Sequence, residues 1–181
     1  MKAKRVFLEL VETTLSSIII LLVLYMTVAL PEMVWGSSME PTFDSEDRII
    51  VDRLTKKFNN NFKRGEVVVF KPNDSSRHLI KRIVGIPGDI IKIYSCNVFV
   101  SKNGERYKLN EPYLTNNTCT EGGSTIKEGR SVKLEEEEYV VLGDNRAVSM
   151  DSRSLGLISS NDVVGRVVFR FWPASKIGFV R

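Results

Sequence analysis

The sequence predicts a mainly β domain behind a single N-terminal helix, and three observations carry that reading. A charge-free run of 18 residues stands near the start. The remainder alternates short β-rich segments with turn chemistry. No convincing amphipathic helix follows the first run, apart from a turn in "ISSNDV". The 181 residues are enough for one membrane anchor and one domain of about 150 residues. The predicted boundaries are 1–12 for a cytoplasmic N-terminus, 13–31 for a transmembrane anchor and 32–181 for an extracytoplasmic β-rich domain.

The first element is "TTLSSIIILLVLYMTVAL", Thr13 to Leu30. At ~1.5 Å rise per residue it nearly spans a ~30 Å hydrocarbon core, with Tyr25 and Trp35 near an interface. Lys2, Lys4 and Arg5 precede it and, by the positive-inside rule, keep the N-terminus cytoplasmic. No polar face recurs at helical period, which argues against a buried core helix. A cleavable signal peptide is the stronger rival. Against it, Val28 and Leu30 flank Ala29 in a poor small-residue site, and Pro31 follows closely.

Beyond Pro31, strands are expected at Glu66 to Phe70, His78 to Ile86, Asp89 to Tyr94 and Asn97 to Val100. Asn103-Gly104 is a hairpin signal joining "NVFV" to "RYKL". A polar, Gly-rich loop follows from Asn116 to Gly129, then a strand in "EYVVLGD" and a closing pair in "VVGRVVFRFWP". The expected fold is an all-β sandwich or barrel.

Hydrophobic residues at 43% and charged ones at 27% fit an ordinary globular chain. The net charge of +4 is spread among interleaved acids and bases, which leaves no nucleic-acid footprint. Cys96 and Cys119 with the single histidine, His78, cannot make a structural zinc site. The two cysteines form either a disulfide between neighbouring loops or two unrelated thiols. Glu135 to Glu138 reads as the solvated start of a strand. "NDS" at Asn73 and "NNT" at Asn116 match a glycosylation acceptor, relevant only in a eukaryotic secretory pathway.

Serine hydrolysis usually needs a histidine base, and any such triad stands or falls on His78; there is no G-x-S-x-G elbow. The other route is a lysine whose pKa has fallen from about 10.4 to near neutrality, which takes ~4 kcal/mol of desolvation or like charge. Such a lysine belongs inside an apolar strand. Lys81 meets the condition, flanked by Leu79, Ile80, Ile83 and Val84. Period-two alternation puts Leu79, Lys81 and Ile83 on one face, with His78, Ile80, Arg82 and Val84 on the other. Pattern alone makes a lysine snorkelling from a strand edge the commoner outcome.

In "WGSSMEPT", a capping box from Ser37 to Glu40 competes with a catalytic serine. Pro41 disfavours helical geometry at Glu40, so an extended or turn-like path is expected, with Ser37 and Ser38 facing opposite sides. Only one of them can face a lysine.

"GSSMEPTF", "IKRIVGIPGD" and "VLGDNRAVSMDSRSLG" resemble, in order and spacing, the serine, lysine and Gly-Asp-Asn-Arg…Asp-Ser-Arg boxes of the type I signal peptidases. The ending "VVGRVVFRFWPASKIG" is similar to their single-anchor, Gram-positive branch, so the resemblance covers most of the chain. It implies an all-β catalytic domain of signal-peptidase type, with Ser38 as nucleophile and Lys81 as general base. It further implies that the Ser149 hydroxyl orients the lysine amine, and that Asp144, Arg146, Asp151 and Arg153 support the site. Their local alternative is a surface ion-pair loop of little consequence. Met39, Phe43, Leu79 and Ile80 fall where the family lines shallow pockets for small side chains.

The chain departs from the pattern twice. Gly36 stands where some members carry a serine that donates to the oxyanion, which leaves the Ser38 backbone N–H for that task. Ala147-Val148 replaces residues that are commonly polar. The implied activity is a membrane-bound serine endopeptidase that removes signal peptides after small residues. Its implied partners are preprotein signal peptides, the lipid bilayer and the secretion translocon, and it needs no cofactor. Two rivals are a catalytically silent anchored scaffold, which would be expected to lose the nucleophile or base, and a self-cleaving Ser/Lys regulator, which would want a DNA-binding module in place of the anchor.

Overall fold

With no Gly or Pro before Pro31, nothing interrupts helix α1, which runs for 27 residues over Lys2–Val28. The computed structural model describes residues 2–58, 61–72, 77–116 and 118–180; the acceptor Asn73 and the central residue of "NNT" lie outside them. Among the described residues no helix is both long and apolar enough to cross a membrane. The expected span includes 23–27, whose side chains also lie outside the described set.

The end of that span is corrected by the fold. Ala29 and Leu30 are not helical but open strand β1 (Ala29–Met33), which pairs antiparallel with β2 (Arg48–Asp52). Leu30 precedes a proline and is driven toward extended geometry, so the helix stops short of it. Pro31 is tolerated in β1 because this strand lies at the sheet's margin.

After the short helix α2 (Leu54–Phe58) come β3 (Val67–Phe70), β4 (Leu79–Gly85), β5 (Ile90–Tyr94), β6 (Asn97–Lys102) and β7 (Glu105–Lys108). Asn103 and Gly104, both at positive φ (53° and 86°), make the expected turn between β6 and β7. Then follow β8 (Ser131–Lys133), β9 (Glu138–Leu142), α3 (Ser152–Leu155), β10 (Ile158–Ser159), β11 (Val163–Trp172) and β12 (Gly178–Phe179). The turn expected in "ISSNDV" is a 3-10 helix, Ser160–Asp162, closed by a capping box from Ser159 to Asp162.

The larger sheet has the order β1-β2-β11-β3-β4-β9-β10, with β12 also on β11; the smaller is β7-β6-β5-β8. The expected closing pair is instead one ten-residue strand, β11, which lies between β2 and β3. Its register shifts between Val167 and Phe169 let it bend while serving both neighbours. Strand β4 sits between β3 and β9, and every residue from Ile80 to Gly85 is buried. Three apolar clusters fill the interior. One joins Val34, Met39, Phe43, Ile49 and Ile80; a second lies against the smaller sheet around Ile91 and Val140; a third surrounds Phe70, Ile83 and Tyr139.

Cys96 and Cys119 are bonded, which decides between the two readings of these residues. The bond ties the turn after β5 to the polar loop, where Thr120 N–H also donates to the Cys96 carbonyl at 3.1 Å. Closing 23 residues of separation contributes about 3 kcal/mol by chain entropy. Urea unfolding of a Cys96→Ser/Cys119→Ser variant should show a loss of that order.

Candidate active site

The serine segment is shaped by what it buries. Val34 N–H donates to Asp47 C=O and Glu46 N–H to Val34 C=O, both at 2.8 Å, which closes the loop 34–47 on itself. Gly36 takes φ +84°, a conformation that side chains resist, although a Cβ there would meet nothing within 4 Å. Glycine is therefore suited here for its backbone and not for close approach. The chain then turns: Glu40 N–H donates to Ser37 C=O (3.2 Å) and Phe43 N–H to Met39 C=O (2.9 Å). Met39 and Phe43 drop into the core on either side of Pro41 and fix the turn. Ser37 is left exposed and Ser38 half-buried.

Lys81 comes from the centre of the larger sheet, paired with Val68 of β3. It is 2% exposed, and its Nζ donates to Ser38 Oγ at 2.7 Å and to Ile80 C=O at 2.8 Å. Burial lowers its pKa to about 8, against the opposing pull of the Asp151 and Asp144 carboxylates. A lysine poised there can exchange a proton with a hydroxyl near neutral pH, which an ordinary lysine cannot.

Two expectations are corrected. The Ser149 hydroxyl does not bond the lysine amine; it is buried and unpaired among the described residues. The amine instead donates to the carbonyl of its own strand neighbour Ile80. Ser149 packs on Gly143, where a Cβ would fall 2.2 Å from its Oγ and 2.5 Å from Ser38 O. Met39 and Phe43 are core side chains, at 0% and 1% exposure, and do not line the cleft that holds Ser38 and Lys81. Their apolar character fits either place, and the tight turn at Pro41 directs them inward. His78 immediately precedes β4 and lines the same cleft as Leu79, Ile80 and Lys81, residues of both faces of the alternation.

That cleft, about 570 Å³, lies between Glu32–Trp35 with Ser38 on one side and Arg77–Lys81 on the other. Leu79 and Ile80 are on its wall, with Ile80 backed by the core cluster that holds Met39 and Phe43. Among the described residues strand β1 pairs only with β2, so its outer edge is an open ladder beside the cleft.

Behind the serine lie buried ion pairs, not a surface loop. Arg82 Nε and Nη2 donate to the two Asp144 oxygens at 2.9 and 2.7 Å, Thr42 Oγ1 donates to Asp144 at 2.5 Å, and the guanidinium lies 4.1 Å over the Tyr113 ring. Asp151 takes Arg153 Nε at 2.8 Å, Arg153 Nη2 at 3.0 Å and the Gly143 N–H at 3.0 Å. Arg146 Nε donates to Gly143 C=O at 3.1 Å, and the same guanidinium pairs with Glu111 and Thr120. Asn145 N–H donates to Ser38 C=O at 3.0 Å, which joins this network to the serine's own backbone. Thr42, Arg82, Tyr113, Glu111 and Thr120 were not anticipated. Arg82 carried a signal, as a second cation in the same apolar strand; Tyr113 carried none.

A curled β domain that sets a half-buried serine hydroxyl on a buried, pKa-lowered lysine has the make-up of a serine hydrolase. The family model "Signal peptidase, peptidase S26" matches residues 7–172, and the chain belongs to that family. It is a serine peptidase of the signal peptidase I kind. Signal peptidase I P of Bacillus subtilis subsp. natto is 38% identical over 151 residues, covering 81% of this chain and 79% of the relative. Signal peptidase IB of Staphylococcus aureus (strain MRSA252) is 34% identical over 187 residues, covering 97% and 95%. The crystal structure of a signal peptidase I from Enterococcus faecalis V583 aligns with a TM-score of 0.47 at 22% identity, over 58% of this chain and 95% of that one.

Proposed function

We propose that the protein is a membrane-bound serine endopeptidase that cuts signal peptides from exported preproteins after small residues, with Ser38 as nucleophile and Lys81 as general base. The observation that carries this reading is the 2.7 Å contact between Lys81 Nζ and Ser38 Oγ in a buried setting. The neutral amine takes the hydroxyl proton as Ser38 Oγ attacks the scissile carbonyl. The protonated amine then gives its proton to the leaving nitrogen as the peptide bond breaks, which leaves an acyl-enzyme. Water, deprotonated by the same amine, hydrolyses the ester and restores Ser38. The Ser38 backbone N–H serves as oxyanion donor, and Gly36 supplies the positive-φ turn that leads into it.

The substrate residues before the cut lie extended in the cleft beside the open edge of β1. Main-chain hydrogen bonds give affinity there, while shallow walls at Leu79 and Ile80 favour small side chains. Attachment to the bilayer runs through α1. Val6, Phe7, Leu8, Leu10 and Leu15, like Ile18 to Leu22, stand at about half exposure or more, which leaves an apolar surface open along the helix among the described residues. Its Thr13, Thr14 and Ser17 hydroxyls donate to carbonyls four residues back, which satisfies them without water. The names of the relatives, signal peptidase I and IB, support this substrate class.

The test is the pH dependence of preprotein cleavage by the purified protein in detergent, with the new N-terminus identified by mass spectrometry. Because the base must be neutral, kcat/KM should fall tenfold per pH unit below about 8, the pKa to which burial brings Lys81. A flat profile from about pH 5 to 9 would contradict the assignment.

A further inference from the structure

At the end of the cleft away from the serine and lysine, Glu32 and His78 bridge its two walls. Glu32 lies on β1 and His78 immediately precedes β4, with Oε1 and Nδ1 2.9 Å apart. In the sheet order β2, β11 and β3 stand between those strands, so the bond is not a cross-strand contact of the ladder but a clasp across the cleft. The side chains are 28% and 39% exposed, so water reaches both in the free protein. No box of the sequence contains either residue, and the proposed chemistry uses neither.

Both walls run toward the reacting pair with rising residue number. An extended substrate between them advances ~3.3 Å per residue, as β4 does. With the residue before the scissile bond opposite Lys81, the fourth residue before the cut comes opposite His78. From Lys81 outward the walls are first apolar (Ile80, Leu79, Val34, Met33), then polar at the clasp.

We infer that the Glu32–His78 pair determines specificity at the fourth residue before the cut, admitting a small or polar side chain and rejecting a bulky apolar one. This rests on the peptidase reading above. A leucine laid against the clasp strips water from the carboxylate and imidazole and returns no hydrogen bond, whereas a hydroxyl can donate to Glu32. The clasp thereby marks where the apolar segment of a signal peptide has to end before its small-residue site. A pair that only steadied the surface would impose no such dependence on substrate.

The experiment uses two peptides that differ only in Ser or Leu at that residue. Their binding to the Ser38→Ala protein is measured by fluorescence anisotropy, and their kcat/KM with the unsubstituted protein. The Ser peptide should be preferred about tenfold by both measures. In Glu32→Ala and His78→Ala, each placed in the Ser38→Ala background, the binding preference should collapse to about unity, and it should return in the swapped double variant Glu32→His/His78→Glu. A preference absent at the start, or one that survives in both single variants, overturns the inference. Failure of the unsubstituted protein to cleave either peptide would strike the peptidase reading instead, while the binding ratio still reports on the clasp.

Discussion

Ser38→Ala and Lys81→Met are each expected to lower preprotein cleavage by on the order of 10⁴-fold or more, measured as single-turnover product formation. The two losses should not add, because the hydroxyl and the amine act through one contact, 2.7 Å long. Ser37→Ala, on the exposed side of the turn, should retain most activity. Full activity in Lys81→Met would end the dyad reading, and a loss confined to Ser37→Ala would relocate the nucleophile.

Lys81→Met should also make the protein more stable at pH 7. Folding brings the pKa of the amine from an ordinary 10.5 to about 8. Between those values the unfolded chain holds the extra proton, so stability rises with pH across that window; below about 8 both states are protonated and the full penalty stands. The penalty is about 3 kcal/mol, which methionine, of similar length and uncharged, removes. Urea midpoints at pH 7 and pH 10 should differ for the parent more than for the variant.

The second large effect is structural. Asp144→Ala deprives the buried Arg82 guanidinium of its two-pronged carboxylate partner and Thr42 of its acceptor. Removing one side of a buried pair costs about 3–5 kcal/mol, so the urea midpoint should fall sharply. Replacing both partners together, in Arg82→Met/Asp144→Leu, should cost much less. A kinetic mark separates this from general loosening. The Asp144 carboxylate raises the pKa of Lys81, so removing it should move the acid limb of the rate profile to lower pH in the molecules that stay folded. A limb that stays fixed would mean that the ion pair acts on packing alone.

What could be read in advance depended on how local its cause was. Lys81 was legible as a candidate because four aliphatic neighbours surround it, but that pattern also fits a lysine snorkelling from a strand edge, and only the motif resemblance singled it out. Strand β1 was not, since "ALPEM" has no alternation and contains a proline; its geometry comes from pairing with β2, some twenty residues away. Met39 and Phe43 read as apolar, yet whether apolar side chains face a cleft or the core is decided by a turn whose direction is tertiary. Ser149 shows the same limit from the polar side. A motif placed the hydroxyl near the site, while its direction depends on packing against Gly143. The acidic and basic residues around Asp144 and Asp151 were visible as charges, but their burial could not be inferred from a segment that locally resembles any solvated loop.

Helix α1 ends at Val28 and β1 begins at Ala29, and the Arg53 N–H donates to the Val28 carbonyl at 3.2 Å. No flexible tether separates the shaft from the head. With the shaft held in a bilayer, the cutting point rides at a set height and cannot sweep over the surface. If the attachment and nucleophile proposed above hold, the protein would be a gauge as well as a blade: a chain would be cut where its own length above the lipid brings a suitable bond level with Ser38, and a bond of identical sequence at another height would be passed over.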